Sequence, residues 1–221
     1  MRAMILAAGK GERLRPLTDQ APKPLLEVGG HSLISYHLQH LAQAGFREVV
    51  INISHLGEQI KAALGDGSDW GLQIQYSCEP ENALDSGGGI QQALPWLGKA
   101  PFAVINADVF TDYPLARLRA VKCNHAHLIM VPNPAHHPQG DWGVKGGRMV
   151  PDLEPRHTFS GISVYKPSFF ENSSAGRFSV VPMLVNAAQQ KQVTAELYTG
   201  DWHDIGTLER LQTLRNSQDQ N

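Results

Sequence analysis

The chain has 221 residues, 42% hydrophobic and 18% charged, which is enough apolar material for a buried core and too much for a disordered segment. Its 19 lysines and arginines against 21 aspartates and glutamates leave a formal charge of −2, which argues against a surface-wide binder of nucleic acid or anionic membrane. Two cysteines, Cys78 and Cys123, cannot build a disulfide framework or a four-cysteine zinc site and read as reduced thiols in a cytoplasmic protein, and no apolar run reaches the roughly 18 residues that span a bilayer.

Strands and helices alternate along the first half. Residues 2–8 form a buried strand, apolar after Arg2 and stopped by Gly9. Ser32 caps a helix whose positions Leu33, Ile34, Leu38, Leu41 and Ala42 share a face and which Gly45 ends. Residues 48–53, rich in β-branched side chains, form a second strand. Leu56, Ile60, Ala63 and Leu64 mark a helix closed by Gly65-Asp66-Gly67, and residues 72–77 alternate as a strand. Ser86 caps a third helix carrying Ile90, Ala93, Leu94 and Leu97 on one face, and residues 102–106 make a fourth strand running into Asp108. The pattern predicts an α/β fold, a mostly parallel mixed sheet with right-handed crossovers and helices on both faces.

The second half predicts strands at 127–131, 159–165 and 193–198, a loop or hairpin at 133–147, helices at 180–189 and 207–215, and a polar tail over 216–221. Trp70 and Trp96 are assigned to the core. With no internal repeat and no long linker, one domain spans residues 1–221. In such sheets ligands sit beyond the carboxyl ends of the strands, where residues 9–23 and 106–108 fall.

The loop after the first strand carries the strongest chemical signal. It is neither a P-loop, which needs Gly-x₄-Gly-Lys-Ser/Thr, nor a dinucleotide fingerprint, since Leu14 stands where a third glycine belongs. Gly9 and Gly11 still allow close backbone approach, and Lys10, Arg13, Arg15 and Lys23 gather four cations against Glu12 and Asp19. A local basic loop on a nearly neutral protein points to a polyphosphate.

Gly9-Lys10-Gly11-Glu12-Arg13-Leu14-Arg15-Pro16-Leu17-Thr18 with Pro22-Lys23-Pro24 resembles the signature of the sugar-1-phosphate nucleotidylyltransferases. The resemblance continues through Leu84-Asp85-Ser86-Gly87-Gly88-Gly89, Asn106-Ala107-Asp108, Phe159-Ser160-Gly161-Ile162 and Trp202-His203-Asp204-Ile205-Gly206-Thr207. It implies a Rossmann-like αβα sandwich, with residues 1–110 as the nucleotide-binding half and 111–215 as the sugar-phosphate-binding half. It also implies Mg²⁺ as cofactor and, as substrates, a nucleoside triphosphate and a sugar 1-phosphate. The short length and the Leu84–Ile90 and Phe159–Ser163 stretches are most similar to the branch that uses UTP and a muramyl 1-phosphate in cell-wall recycling. A guanylyltransferase acting on mannose 1-phosphate, a cytidylyltransferase acting on an alcohol phosphate and a non-catalytic nucleotide-sugar sensor are the other readings.

By this resemblance Arg13 and Lys23 hold phosphates, and Ala8, Gly9, Gly11, Glu12, Glu79, Gly88 and Asn106 border the nucleotide. Gly88 has a second reading as helix packing. Asp108 and Asp204 hold the metal and, with Arg13 and Lys23, form the catalytic set. Asp141, Gly143, Glu154 and Ser160 face the sugar. Lys145, Arg148 and Arg156 are open as partners of a lactyl carboxylate or as solvated surface. His125, His127, His136 and His137 fit no zinc spacing and are assigned to loop and surface. The oligomerising domain that relatives often carry does not follow residue 215, so a monomer or weak dimer is expected.

Overall fold

The computed structural model describes residues 1–81 and 83–218. In chain order the elements are β1 (Ala3–Leu6), α1 (Leu17–Gln20), β2 (Glu27–Val28), β3 (His31–Ser32), α2 (Leu33–Gln43), β4 (Glu48–Ile53) and α3 (Gly57–Leu64). Next come β5 (Gln73–Cys78), α4 (Asp85–Leu97), β6 (Phe102–Asn106), β7 (Val109–Thr111), β8 (Ala126–Val131), β9 (Trp142–Lys145) and β10 (Arg148–Val150). The described chain closes with β11 (Arg156–Tyr165), α5 (Val181–Gln189), β12 (Val193–Leu197), β13 (Trp202–Asp204) and α6 (Leu208–Gln218).

Nine strands form one mixed sheet in the order β5-β4-β1-β6-β11-β8-β12-β10-β9. The first four are mutually parallel, whereas β11 runs antiparallel to β6 and β8, and β10 antiparallel to β12 and β9. Strand alternation sorts the core into two layers. Ala3 and Ile5 of β1 face Ile34, Leu38 and Leu41 of α2 and Ile60 and Leu64 of α3. Met4, between them, faces Ile90, Ala93 and Leu97 of α4 on the other side, where Leu184 of α5 also packs. Helices therefore cover both faces.

Several local expectations change. Ser32 does cap α2, its Oγ accepting the Ser35 N–H at 3.4 Å. Ser86 does not cap α4, because its Oγ accepts the Val180 N–H at 3.1 Å and the helix begins one residue earlier. The 133–147 segment is a hairpin leg, with β10 following Gly146-Gly147 as a strand the sequence did not reveal, and β13 was likewise unforeseen. Trp96 is 39% exposed, since it lies on the outer face of α4, while Trp70 packs partly buried against the core. Residues 216–218 extend α6 instead of beginning a tail, and residues 219–221 lie outside the described residues. Among the described residues no helix is long and apolar enough to cross a membrane.

A third apolar cluster joins the two ends of the chain. Leu14 of the glycine-rich loop, Leu26, Val28, Leu33, Ile205 and Leu211 and Leu214 of α6 pack together, so the last helix is clamped onto the loop after β1. Leu211 is 1% exposed. Leu211→Ala should lower unfolding free energy by about 2–5 kcal/mol in urea titration, the usual cost of emptying such a site.

Candidate active site

β1 and β6 are neighbours, and the chain leaves them toward opposite sides, so their carboxyl ends open a crevice at the switch point of the sheet. The loop that fills it is held by a chain of polar contacts. Ala7 N–H donates to Asn52 Oδ1 at 2.8 Å, Asn52 Nδ2 donates to Glu79 Oε1 at 2.6 Å, and Glu79 Oε2 accepts the Leu84 N–H at 2.7 Å. Asn52 is 3% exposed, so its amide is a buried fixture with partners on both ends. Gly11 has φ of 65°, and a side chain there would stand 2.9 Å from Thr18 Cγ2. Thr18 Oγ1 in turn donates to the Gly11 carbonyl at 2.9 Å.

The resulting cleft measures about 620 Å³ and is lined by Ala8, Gly9, Gly11, Glu12, Arg13, Lys23, Glu79, Asn106 and Asp108 among others. Lys23 Nζ lies 2.5 Å from Asp108 Oδ2, joining the loop after β1 to the end of β6. Among the described residues Lys10 and Arg13 have no carboxylate within ion-pair distance, which leaves their charges for a ligand. Arg15 is different from the other three cations: it pairs with Asp19 at 3.1 Å on the surface and does not line the cleft. Behind Asp108, His37 of α2 is fully enclosed near the backbone of Ala107 and Val109. Burial pushes its imidazole down to about 4, so it is uncharged at neutral pH.

Gly88 is placed away from the cleft. A Cβ on it would stand 2.1 Å from the Gly176 carbonyl oxygen, so the packing reading describes its position. Gly87 lies equally tight on the Phe178 ring, and Gly89 on Glu79 and Asn52, at 2.5 Å and 2.9 Å from a would-be Cβ. The triple glycine thus lets α4 approach the 176–178 segment and the Asn52–Glu79 contact.

A second cleft of about 330 Å³ adjoins the first, and Arg13, Asn106 and Asp108 line both. One wall is the two-stranded ribbon of β7 and β13, in which Asp204 pairs with Val109, and the Ile205 N–H donates to the Asp108 carbonyl at 2.8 Å. The ribbon thereby brings Asp108 and Asp204 to one cleft. Ser160 lies in the opposite wall beside a bulge in β11 at Gly161, whose φ is 79° and whose Cβ would meet Asn106 at 2.7 Å.

Asp141, Gly143 and Glu154 lie outside this lining. Asp141 accepts the Phe159 N–H at 2.7 Å and stands 3.1 Å from His137 Nε2, so it pins a loop. Gly143 sits in β9, where a Cβ would be 2.4 Å from the Leu153 carbonyl oxygen. The Glu154 side chain is 72% exposed and pairs with Arg156 at 2.9 Å. Lys145, Arg148 and Arg156 also fall outside both clefts, and Arg148 is spent on the Lys191 carbonyl. His136 and His137 lie in a surface loop as expected, their side chains 40% and 41% exposed, and they also border the smaller cleft beside Asp204 and Asp141. Arg210, Trp202 and Thr158 line it as well, and Arg177, Asp85 and Asn52 the larger one. Asp85 and Trp202 fall within stretches that carry the family resemblance but were given no role there, and no local motif announces the other four.

Two carboxylates can hold a hard divalent ion when phosphate and water complete its shell. Among the described residues no group of three or more His, Cys, Asp or Glu is arranged to bind a metal alone. Asp204 fits the partial role: its Oδ1 is buried and accepts no hydrogen bond, His136 Nε2 lying 2.9 Å away without the alignment of one. Asp108, with an oxygen on Lys23, shares the same cleft.

A mixed α/β sheet with a basic glycine loop at its switch point and paired aspartates across the mouth is the architecture of a nucleotidyl-transfer enzyme, and the chain belongs to the Nucleotidyl transferase family, whose model matches residues 2–145. It is 47% identical over 220 residues to the N-acetylmuramate alpha-1-phosphate uridylyltransferase of Neisseria meningitidis serogroup B, covering 96% of this chain and 95% of that one. The protein of the same description from Caulobacter vibrioides is 30% identical over 221 residues, with 92% and 91% covered. A UDP-glucose pyrophosphorylase solved with UDP-glucose superposes with a TM-score of 0.79 at 21% identity over 99% of this chain and 98% of that one, a likeness of fold.

Gly88→Ala should cost about 1–3 kcal/mol of stability, as overpacking against a backbone carbonyl does. A shifted urea midpoint would be the sign of it, and an unshifted one would return Gly88 to the ligand side.

Proposed function

We propose that the protein transfers a uridylyl group from UTP to N-acetylmuramate 1-phosphate, forming UDP-N-acetylmuramate and releasing pyrophosphate. The observation that carries this reading is the seam between the clefts, where Arg13, Asn106 and Asp108 border both volumes. A triphosphate in the larger cleft and a sugar phosphate in the smaller one would meet there. The near full-length likeness to a uridylyltransferase supports the choice of base and acceptor.

An oxygen of the sugar phosphate attacks the α-phosphorus of UTP. The bond to the bridging oxygen breaks, and its electron pair leaves with pyrophosphate. The attacking oxygen is already ionised, so no general base is needed; alignment and positive charge are what the protein must supply. Arg13 and Lys10, free of carboxylate partners, take phosphate charge, and Lys23 turns from Asp108 to the departing pyrophosphate. Gly9, with open space where a side chain would stand, lets base and ribose lie along the backbone of Ala8 and Gly9. Glu79, fixed by Asn52 and Leu84, gives the base a rigid polar edge. Asp108 and Asp204 would hold Mg²⁺, which when bound neutralises phosphate charge and polarises the α-phosphoryl group.

Pyrophosphate release measured for UTP, GTP and CTP against a panel of sugar 1-phosphates should be fastest for UTP with N-acetylmuramate 1-phosphate, and should stop with chelator and resume with Mg²⁺. Turnover of GTP with mannose 1-phosphate, and none of the muramyl substrate, would replace the reading with a guanylyltransferase. Asp108→Asn should reduce kcat by ~100-fold or more, since a metal contributes several kcal/mol of transition-state stabilisation, with the melting temperature retained. Full activity in that variant would refute the metal role.

A further inference from the structure

Uridylyl transfer gives work to Arg13, Lys23, Asp108 and Asp204, and leaves one cation of the smaller cleft without any. Arg210 stands in the first turn of α6, where Thr207 Oγ1 accepts both its N–H at 3.3 Å and its Nε at 3.4 Å. One arm of the guanidinium, NH1, is 2.5 Å from Asp204 Oδ2 and 2.7 Å from His136 Nε2. The other arm, NH2, lies over Gly206, 2.2 Å from where a Cβ would be, and Arg13 NH2 lies 3.3 Å from that same point. Two guanidiniums therefore converge over one glycine, and any side chain at 206 would push them apart.

Asp204 offsets only one of these two like charges, and a further anion between the guanidiniums would offset the other. The linings say which anion. Arg13 borders both clefts, whereas Arg210 borders only the smaller one. Lys23 borders only the larger. Arg13 and Arg210 are thus the two permanently charged cations of the smaller cleft among the described residues. A sugar 1-phosphate brings a phosphate of nearly two charges into that cleft, and Arg13 is shared with the triphosphate.

We infer that Arg210 is a binding residue for the phosphate of the acceptor, and this rests on the reaction proposed for the two clefts. Asp204 and Thr207 set the plane of the guanidinium, so NH2 is held beside Arg13 over Gly206 before the acceptor arrives. Nε is held by Thr207 and NH1 by Asp204 and His136, so NH2, with its two N–H donors and the permanent charge, is the group left for a phosphate oxygen. The acceptor phosphate is then held between Arg210 and Arg13, with an oxygen free for attack.

The test uses Arg210→Gln and Arg210→Lys in the intact chain, with UTP, Mg²⁺ and two acceptors. N-acetylmuramate 1-phosphate carries a lactyl carboxylate, and N-acetylglucosamine 1-phosphate does not. Arg210→Gln should raise the KM of both acceptors by ~10-fold or more, the scale of a charge-assisted bond, and leave the KM for UTP within about twofold. Arg210→Lys should recover part of the loss. Calorimetric titration of each acceptor, in the presence of a UTP analogue with a methylene between the α- and β-phosphorus, should show the same weakening without turnover. The melting temperature should be retained.

An unchanged acceptor KM overturns the assignment, and so does an equal rise in the KM for UTP. A loss confined to the muramyl acceptor would assign Arg210 to the carboxylate and also overturn it. Wild-type protein that binds a sugar phosphate but turns none over refutes the reaction alone, and the calorimetric comparison then decides Arg210. Wild-type protein that binds no sugar phosphate refutes both.

Discussion

The ion pair between Lys23 and Asp108 ties together the segments that leave two paired strands, β1 and β6. Lys23 belongs to the loop after β1, and its Cβ lies 3.1 Å from where a side chain on Gly11 would begin, so the lysine stem packs on the glycine turn. Asp108 stands just past β6, and its carbonyl holds the Ile205 N–H. The contact thus couples the glycine loop to β6, and through Ile205 to the C-terminal ribbon and helix. The Lys23 side chain is 12% exposed and that of Asp108 33%, so solvent screens the pair only in part. Neither charge is free to turn elsewhere without a replacement partner.

This coupling explains why the aspartates need no shared element. Asp204 reaches the cleft because β13 pairs with β7, and β7 follows Asp108 directly. A short ribbon off the main sheet does the placing. Its opposite wall is set by the β11 bulge, where the Ser160 carbonyl accepts the Trp202 indole N–H at 2.9 Å. Both walls of the smaller cleft are therefore hydrogen-bonded to each other.

The first half of the fold was legible because its signals are local. β4 and β6 have the bounds that their apolar runs and stops predicted, and α2 begins at the residue after its serine cap. The basic loop was equally readable, since its residues are neighbours in sequence. β10, three residues long, pairs with the adjacent β9 across Gly146-Gly147, a local hairpin whose second strand the reading of 133–147 left out. β13 was not legible, being equally short and paired with β7 far away in the chain. The same physics hid Arg210 and His136: they lie 74 positions apart and meet only because α6 docks on Leu14 and the histidine loop bends toward Asp204. Ser86 shows the reverse case, a good local cap signal overruled by a tertiary hydrogen bond. The glycines divide by purpose in a way that counting could not show. Gly11 and Gly161 are needed for backbone conformation, and Gly87, Gly88, Gly89 and Gly206 for the side chains and carbonyls pressed against them.

The docking of α6 on Leu14 also orders events in time. A ribosome delivers the glycine loop among its first residues and α6 after every strand of the sheet. Until Leu211 and Leu214 emerge, Leu14 has no apolar cover from that side, and Gly206 has not yet met Arg210. The nascent sheet can pair strand by strand from its amino end, but the glycine loop made early is packed last. Completion of the site thus waits on α6, the last of the described elements.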